Sequence, residues 1–314
     1  MKIAIMEPLG ISAAELAERK KEFEAAGHRF VDFARTTDVN VLKEEVKGID
    51  AMILANMPMP AEVIEAAPSL KYIDIAFTGV DHVGLAAAMA RGVKASNASG
   101  YSNEAVAELA LGMALSLARN IRAVEDRCRA GETKDGLVGF ELKGKTVGIV
   151  GLGKIGTRSA ELFHAMGCGI LAHSRSVHDD APSYVVQCDL DTLLKDSDIV
   201  VLHCPLNDST KGLINKEKLA LMKNTAMLIN VARGSVVVSE DLANALQGGV
   251  IACAGIDVFD AEPPLDINDP LLNAPNTLVT PHVAFATKES MSLRAEIVFG
   301  NLRGFLNGEV PNEV

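Results

Sequence analysis

Lys145-Thr-Val-Gly-Ile-Val-Gly151-Leu-Gly153-Lys-Ile-Gly156 stands near the middle of the chain, and its reading decides the fold. β-branched Val147, Ile149 and Val150 mark a short strand, and a stretch with helical spacing follows from Ile155 to Met166. The turn between them has Gly-x-Gly-x-x-Gly spacing. Gly151 lets the turn be tight, Gly153 has no side chain to obstruct a phosphate, and Gly156 lets the helix pack close to its strand. Free N–H groups and the positive dipole end at the helix N-terminus suit a pyrophosphate. Gly151, Gly153, Lys154, Ile155 and Gly156 are therefore the expected dinucleotide contacts. Single-unit dinucleotide enzymes usually open with this motif. Here residues 1–144 precede it, so another unit is built first.

The bulk composition agrees with two units. A chain of 314 residues is more than one core usually holds, and 48% of it is hydrophobic. Lys and Arg number 30 against 41 Asp and Glu, a net charge of −11. Such a chain, without a basic block, is a poor partner for nucleic acid or an anionic membrane surface. The apolar start at residues 2–6 meets Glu7-Pro8 and is too short for a signal peptide. No apolar run reaches membrane-spanning length. Five cysteines without CxxC spacing predict reduced thiols, a cytoplasmic setting and no metal site.

Residues 2–6, 29–33, 51–54 and 72–75 read as strands, with helical spacing over 13–26, 39–46 and 61–67. A long apolar helix covers 103–119, and an exposed loop follows at 131–136. After the glycine turn, strands are expected at 169–172, 199–202, 226–230, 251–257 and 277–280. One intervening helix is expected to be capped by Ser239 and closed by Gly248-Gly249. A last helix spans roughly 288–306. The pattern predicts an α/β protein of two doubly wound parallel-sheet domains, a flavodoxin-like substrate domain and a Rossmann cofactor domain. Residues 1–98 with 286–314 form the first and 99–285 the second, with the active site in the cleft between them.

The strand at 169–172 ends in His173-Ser174-Arg175-Ser176. An acid that reads the ribose is expected there, about 20 residues beyond the glycines. Ser174 takes its place, so a 2′-phosphate meets no carboxylate, and Arg175 is positioned to pair with it. NADP is the expected cofactor, with NAD as the lesser one.

Three titratable residues each follow a cofactor-domain strand: Arg233 after 226–230, Glu262 after 251–257, and His282 after 277–280. Ligands of open parallel sheets bind beyond the carboxyl ends of strands. An arginine can grip a carboxylate and polarise a ketone, an imidazole can supply a proton near neutral pH, and a carboxylate can orient that imidazole. This set suits reduction of a 2-oxo acid. The other histidines (28, 82, 164, 173, 178 and 203) lack such company and read as structural.

The chain resembles the D-isomer-specific 2-hydroxyacid dehydrogenases, more narrowly their glyoxylate/hydroxypyruvate reductase and glycerate dehydrogenase branch. The likeness runs nearly end to end. It is carried by Phe77-Thr78-Gly79-Val80-Asp81-His82, Asn97-Ala-Ser-Gly-Tyr-Ser102, Val106-Ala-Glu108, Gly139-Phe-Glu-Leu-Lys-Gly144-Lys145, the glycine turn, Leu202-His-Cys-Pro205-Leu206 and the three segments above. It implies that Arg233, Glu262 and His282 are catalytic, and that backbone N–H groups around Thr78 and Gly79 hold the substrate carboxylate together with Arg233 and His282. It places Cys204, Pro205, Val231, Ala232 and Asp257 around the cofactor, beside Ser174 and Arg175. It also implies a homodimer formed through the cofactor domain, using the helix at 103–119 and the arm after it. The chain departs from the family in lacking tryptophan, in Ser174, and in Val283-Ala-Phe285 where many members carry a glycine pair.

The expected activity is hydride transfer between a nicotinamide cofactor and a small 2-oxo acid or D-2-hydroxy acid. A formate-type dehydrogenase is the alternative that Glu262 disfavours. A dinucleotide-sensing protein without turnover is the alternative that the Arg233/Glu262/His282 set disfavours.

Overall fold

In the computed structural model, which describes residues 1–262 and 265–314, the chain divides into two compact units. Met1–Ser102 joins Ala286–Val314 in the first, and Asn103–Phe285 forms the second.

The first unit alternates β1 (Lys2–Ile5), α1 (Ala13–Ala25), β2 (Arg29–Asp32), α2 (Val39–Glu45), β3 (Ala51–Leu54), α3 (Ala61–Glu65), β4 (Tyr72–Ile75), α4 (Leu85–Ala90) and β5 (Lys94–Asn97). The strands form one parallel sheet in the order β2-β1-β3-β4-β5. β3 and β4 are buried along their whole length, as central parallel strands covered on both faces must be. The second unit contains α5 (Asn103–Ala118), α6 (Ile121–Arg129), β6 (Thr146–Val150), α7 (Lys154–Ala165), β7 (Gly169–His173), β8 (Val185–Gln187), α8 (Leu190–Asp196), β9 (Ile199–Leu202), α9 (Lys216–Leu219), β10 (Met227–Asn230), α10 (Ser239–Gln247), β11 (Cys253–Ile256) and β12 (Thr277–Val279). Its parallel sheet runs β12-β11-β10-β9-β6-β7-β8. α11 (Lys288–Leu306) then returns to the first unit, where Phe305 stacks on Tyr72 of β4 with ring centroids 4.2 Å apart and Phe299 meets Phe23 at 5.8 Å.

The larger sheet's register sets up the chemistry. Val150 pairs with His173 and Leu202, Leu202 with Asn230, Asn230 with Ile256, and Ile256 with Val279. These six residues form one row. The loops leaving them therefore begin side by side with Ser174, Gly151, His203, Val231, Asp257 and Thr280. Two apolar clusters on the sheet keep that row rigid. One is built on Val200, Leu228 and Ile256, the other on Val147, Ile149 and Ile229.

Two local readings need correction. Ser239 is the first residue of α10, whose cap is Val238; its hydroxyl donates to Asp260 at 2.9 Å and leaves the helix amides alone. α4, β5, α6 and β8 escape the periodicity reading: β5 (Lys-Ala-Ser-Asn) offers little apolar character, α6 buries none of its residues, and α4 and β8 are short.

Asp74, at the centre of β4, is fully buried and accepts from Asn301 Nδ2 of α11 at 3.2 Å. Burial holds its carboxyl well above the usual range. Above pH 4 the unfolded chain ionises there while the folded chain keeps the proton, so wild-type stability falls as pH rises toward the raised value. Asp74→Asn removes that slope. Its melting temperature should gain on wild type progressively as the pH rises above about 4. A gap independent of pH would contradict this assignment.

Candidate active site

The cofactor side begins at the glycine turn. Gly151 sits at φ +101°, and a Cβ there would lie 2.6 Å from Cys204 N on the neighbouring strand end. A Cβ on Gly156 would lie 2.0 Å from Gly151 O, so the packing of α7 against its own turn excludes any side chain. Gly153 caps α7 without a side-chain bond, and a Cβ there would meet open space, which leaves the first helical amides clear for an anion. Ser174 Oγ accepts from Leu152 N at 2.8 Å, tying the ribose-reading position to the turn. A cavity of about 480 Å³ opens here, lined by Leu152, Gly153, Lys154, Thr157, His178 and Asp180 with Ala181. These features fit a dinucleotide phosphate. Arg175 follows Ser174 and is exposed, Val231 and Ala232 are buried beyond β10, and burial pushes the Cys204 thiol up to about 11, which keeps it unreactive. Pro205 follows it on the surface, and Ile155 continues the first turn of α7.

Arg233 leaves β10 on a tied loop. The Asn230 side chain accepts from Ala232 N at 3.1 Å and donates to Arg233 O at 2.9 Å, so one buried amide brackets the two residues between it and Arg233. Glu262 and His282 leave β11 and β12 and meet: Nδ1 of the imidazole lies 3.0 Å from Glu262 Oε1, and both side chains are mostly shielded. That bond fixes the ring's orientation and leaves Nε2 as the outward nitrogen. Phe285 abuts the same ring edge-on at 5.4 Å.

His282 occupies the left-handed backbone region at φ +52°, a conformation non-glycine residues avoid. Its neighbours hold it there. The Asp257 carboxylate, fully buried, accepts from Thr280 Oγ1 at 2.5 Å, Val283 N at 2.9 Å and Ala284 N at 2.9 Å. Asp257 O also accepts from His282 N at 2.6 Å. Burial raises the Asp257 carboxyl, and the three donors and the nearby His282 charge oppose that rise. The family resemblance gives Asp257 a place near the cofactor. Its bonds in the structure are to the histidine loop.

In the first unit, Thr78 and Gly79 lie just beyond β4. Phe77 O accepts from Ala98 N at 3.1 Å and Thr78 O accepts from Asn97 Nδ2 at 2.8 Å. Among the described residues, neither Thr78 N nor Gly79 N donates to a protein acceptor. On the neighbouring loop, buried Glu7 accepts from Ala55 N at 2.8 Å and Met57 N at 2.7 Å, and Arg35 pairs with it. The positioning groups Glu7 and Asn230 are absent from the sequence reading. The available signal was a polar residue directly following or ending a buried apolar strand.

No group of three or more His, Cys, Asp or Glu among the described residues can hold a metal, and no helix is long and apolar enough to cross a membrane.

The model of the D-isomer-specific 2-hydroxyacid dehydrogenase NAD-binding domain matches residues 111–284. A glyoxylate reductase of Thermofilum pendens is 40% identical over 279 residues, covering 86% of this chain and 82% of that protein. A hydroxypyruvate reductase of Blautia hydrogenotrophica is 31% identical over 326 residues, covering 100% and 99%. The crystal structure of a glyoxylate reductase from Paecilomyes thermophila superposes with a TM-score of 0.89 at 28% identity, covering 100% and 98% of the two chains. With a glycine turn built for a dinucleotide and an oriented histidine beyond the edge strand of the same sheet, the chain belongs to the D-isomer-specific 2-hydroxyacid dehydrogenases and is a nicotinamide-dependent oxidoreductase of 2-hydroxy acids.

Proposed function

We propose that the enzyme reduces glyoxylate or hydroxypyruvate to the D-2-hydroxy acid, with NADPH preferred over NADH. The observation that carries this reading is the 3.0 Å pair between His282 and Glu262, one strand end away from Arg233. The named activities of the reductases from Thermofilum pendens and Blautia hydrogenotrophica supply the substrate class.

The roles follow from the donors each residue offers. Thr78 and Gly79 give their N–H groups to the substrate carboxylate. Arg233 grips the same carboxylate and polarises the ketone. A bound nicotinamide supplies the hydride that reduces C2. His282, held through Nδ1 by Glu262, gives its Nε2 proton to the ketone oxygen and takes another from solvent afterwards. Glu262 keeps the ring oriented with Nε2 toward the ketone. Gly151, Gly153, Lys154, Ile155, Gly156, Ser174, Arg175, Cys204, Pro205, Val231, Ala232 and Asp257 belong to the cofactor side.

The NADPH preference rests on Ser174-Arg175. Asp180 stands near the same cavity, but its side chain is 95% exposed, so water and salt screen its charge. Two copies of the chain are expected to pair through the second unit. Val138 (78% exposed), Ile121 and Phe140 present apolar surface there, beside a cavity of about 580 Å³. Five unpaired thiols suit a reducing, cytoplasmic compartment.

His282→Ala should lower kcat by about 10²–10⁴ with NADPH affinity nearly intact; near-normal turnover would remove it from the mechanism. NADPH should exceed NADH in kcat/KM by about ten- to a hundredfold, the worth of one charge-assisted hydrogen bond. Ser174→Asp with Arg175→Ala should reverse that order, and equal efficiency of the two cofactors in the unmutated enzyme would overturn the assignment. Sedimentation of wild type should give a dimer, and Val138→Asp with Phe140→Asp a monomer. A wild-type monomer would refute the pairing.

A further inference from the structure

The two amides of Thr78 and Gly79 are useful to a carboxylate only if both point the same way, and a loop peptide can flip. A trans peptide sets its C=O and N–H in opposite directions. Holding the carbonyl of Phe77 therefore aims the N–H of Thr78, and holding the carbonyl of Thr78 aims the N–H of Gly79. Both carbonyls are held from the β5 side. Ala98 N, shared with Ile75 O at 2.9 Å, donates to Phe77 O at 3.1 Å, and Asn97 Nδ2 donates to Thr78 O at 2.8 Å. The two N–H groups are thus turned together away from β5 and form a small anion-binding concavity. If the second peptide flipped, a carbonyl would face the substrate carboxylate and an N–H would be buried against Asn97.

Asn97 is itself fixed on every side. Its Oδ1 accepts from Ser99 N at 3.1 Å, which decides which end of the amide faces Thr78. Its backbone O accepts from Asn301 Nδ2 at 3.0 Å, and its backbone N donates to Asn312 O at 3.1 Å. Asn312 Nδ2 in turn donates to Asn301 Oδ1 at 2.8 Å. Asn301 is 1% exposed, and Asn312 sits at φ +52°. Residues 311–314 run antiparallel beside β5, with Ser96 Oγ donating to Pro311 O at 2.6 Å and Val314 N to Ala95 O at 3.1 Å. Residues far apart in sequence thus converge on one peptide plane.

We propose that Asn97 is a positioning residue that locks the Thr78 peptide in its carboxylate-binding orientation, and that Asn301 and Asn312 hold Asn97 in place. This rests on the reading of Thr78 and Gly79 as the carboxylate site, so the test separates the two.

The experiment measures KM and kcat for glyoxylate, NADPH affinity by fluorescence, and melting temperature, in Asn97→Ala, Asn312→Gly, their double variant and Gly79→Val. Asn312→Gly keeps the positive φ and removes only the side-chain bond. Asn97→Ala should raise KM about tenfold and Asn312→Gly about threefold, with NADPH affinity within twofold of wild type, because the cofactor turn belongs to the other unit. In the double variant KM should rise less than the product of the two effects, since both act on one chain of bonds. Glu313→Ala, which removes only the exposed pair with Lys94, should leave KM unchanged. Independent effects in the double variant, an unchanged KM in Asn97→Ala, or equal losses of NADPH and glyoxylate affinity would each overturn the lock. If Asn97→Ala fails to fold, Asn312→Gly decides alone: an unchanged KM overturns the proposal. Should Gly79→Val leave KM untouched, the carboxylate site lies elsewhere and the proposal falls with it. A raised KM in Gly79→Val beside a normal one in Asn97→Ala refutes the lock alone.

Discussion

One buried carboxylate holds the backbone that places His282, the proposed proton donor. His282 stands at φ +52°, a conformation costing of order 1–3 kcal/mol for a non-glycine residue. Asp257 offsets that strain by collecting a hydroxyl and two amides from residues 280–284, while its own carbonyl takes the histidine amide. Each such bond contributes about 1 kcal/mol, more when the acceptor is charged. The sum exceeds the strain, so the imidazole meets Glu262 at 3.0 Å without having to search for it.

The same logic recurs wherever a loop leaves a strand. The glycine turn is tied by Ser174 Oγ to Leu152 N, the Arg233 loop by the Asn230 side chain, and the Thr78 and Gly79 peptides by β5. In each case a polar group at a buried strand end supplies the bonds that irregular backbone would otherwise lack. Burial of β6, β9, β10 and β11 makes their ends a fixed row, and the short polar clamps pass that rigidity one or two residues further out. The overall charge of −11 offers no general attraction to anionic ligands, so the proposed sites rely on local N–H donors and single cations.

Much of this was legible in the residues. The alternation of apolar strands and amphipathic helices gives two parallel sheets because both patterns are long enough to carry a period. The helix at 288–306 reads correctly from spacing alone, and the structure explains its return to the first unit through Phe299 and Phe305. Arg233, Glu262 and His282 are visible because each follows a strand. What sequence spacing does not carry is which side chains turn back onto the backbone. Spacing gives no sign that Asp257 bonds the histidine loop. Asn97, Asn301 and Asn312 are ordinary asparagines until folding brings them together, and no periodicity encodes a bond between residues so far apart. Ser239 reads as a cap because serine favours that position, yet a bond to Asp260 claims its hydroxyl.

The most direct measurement follows the hydride itself. NADPH carrying deuterium at the transferring position of C4, mixed with hydroxypyruvate and the wild-type enzyme, should yield D-glycerate with one deuterium at C2. Product of L configuration, or D-glycerate without the label, would contradict direct transfer to one face of a 2-oxo acid held as described.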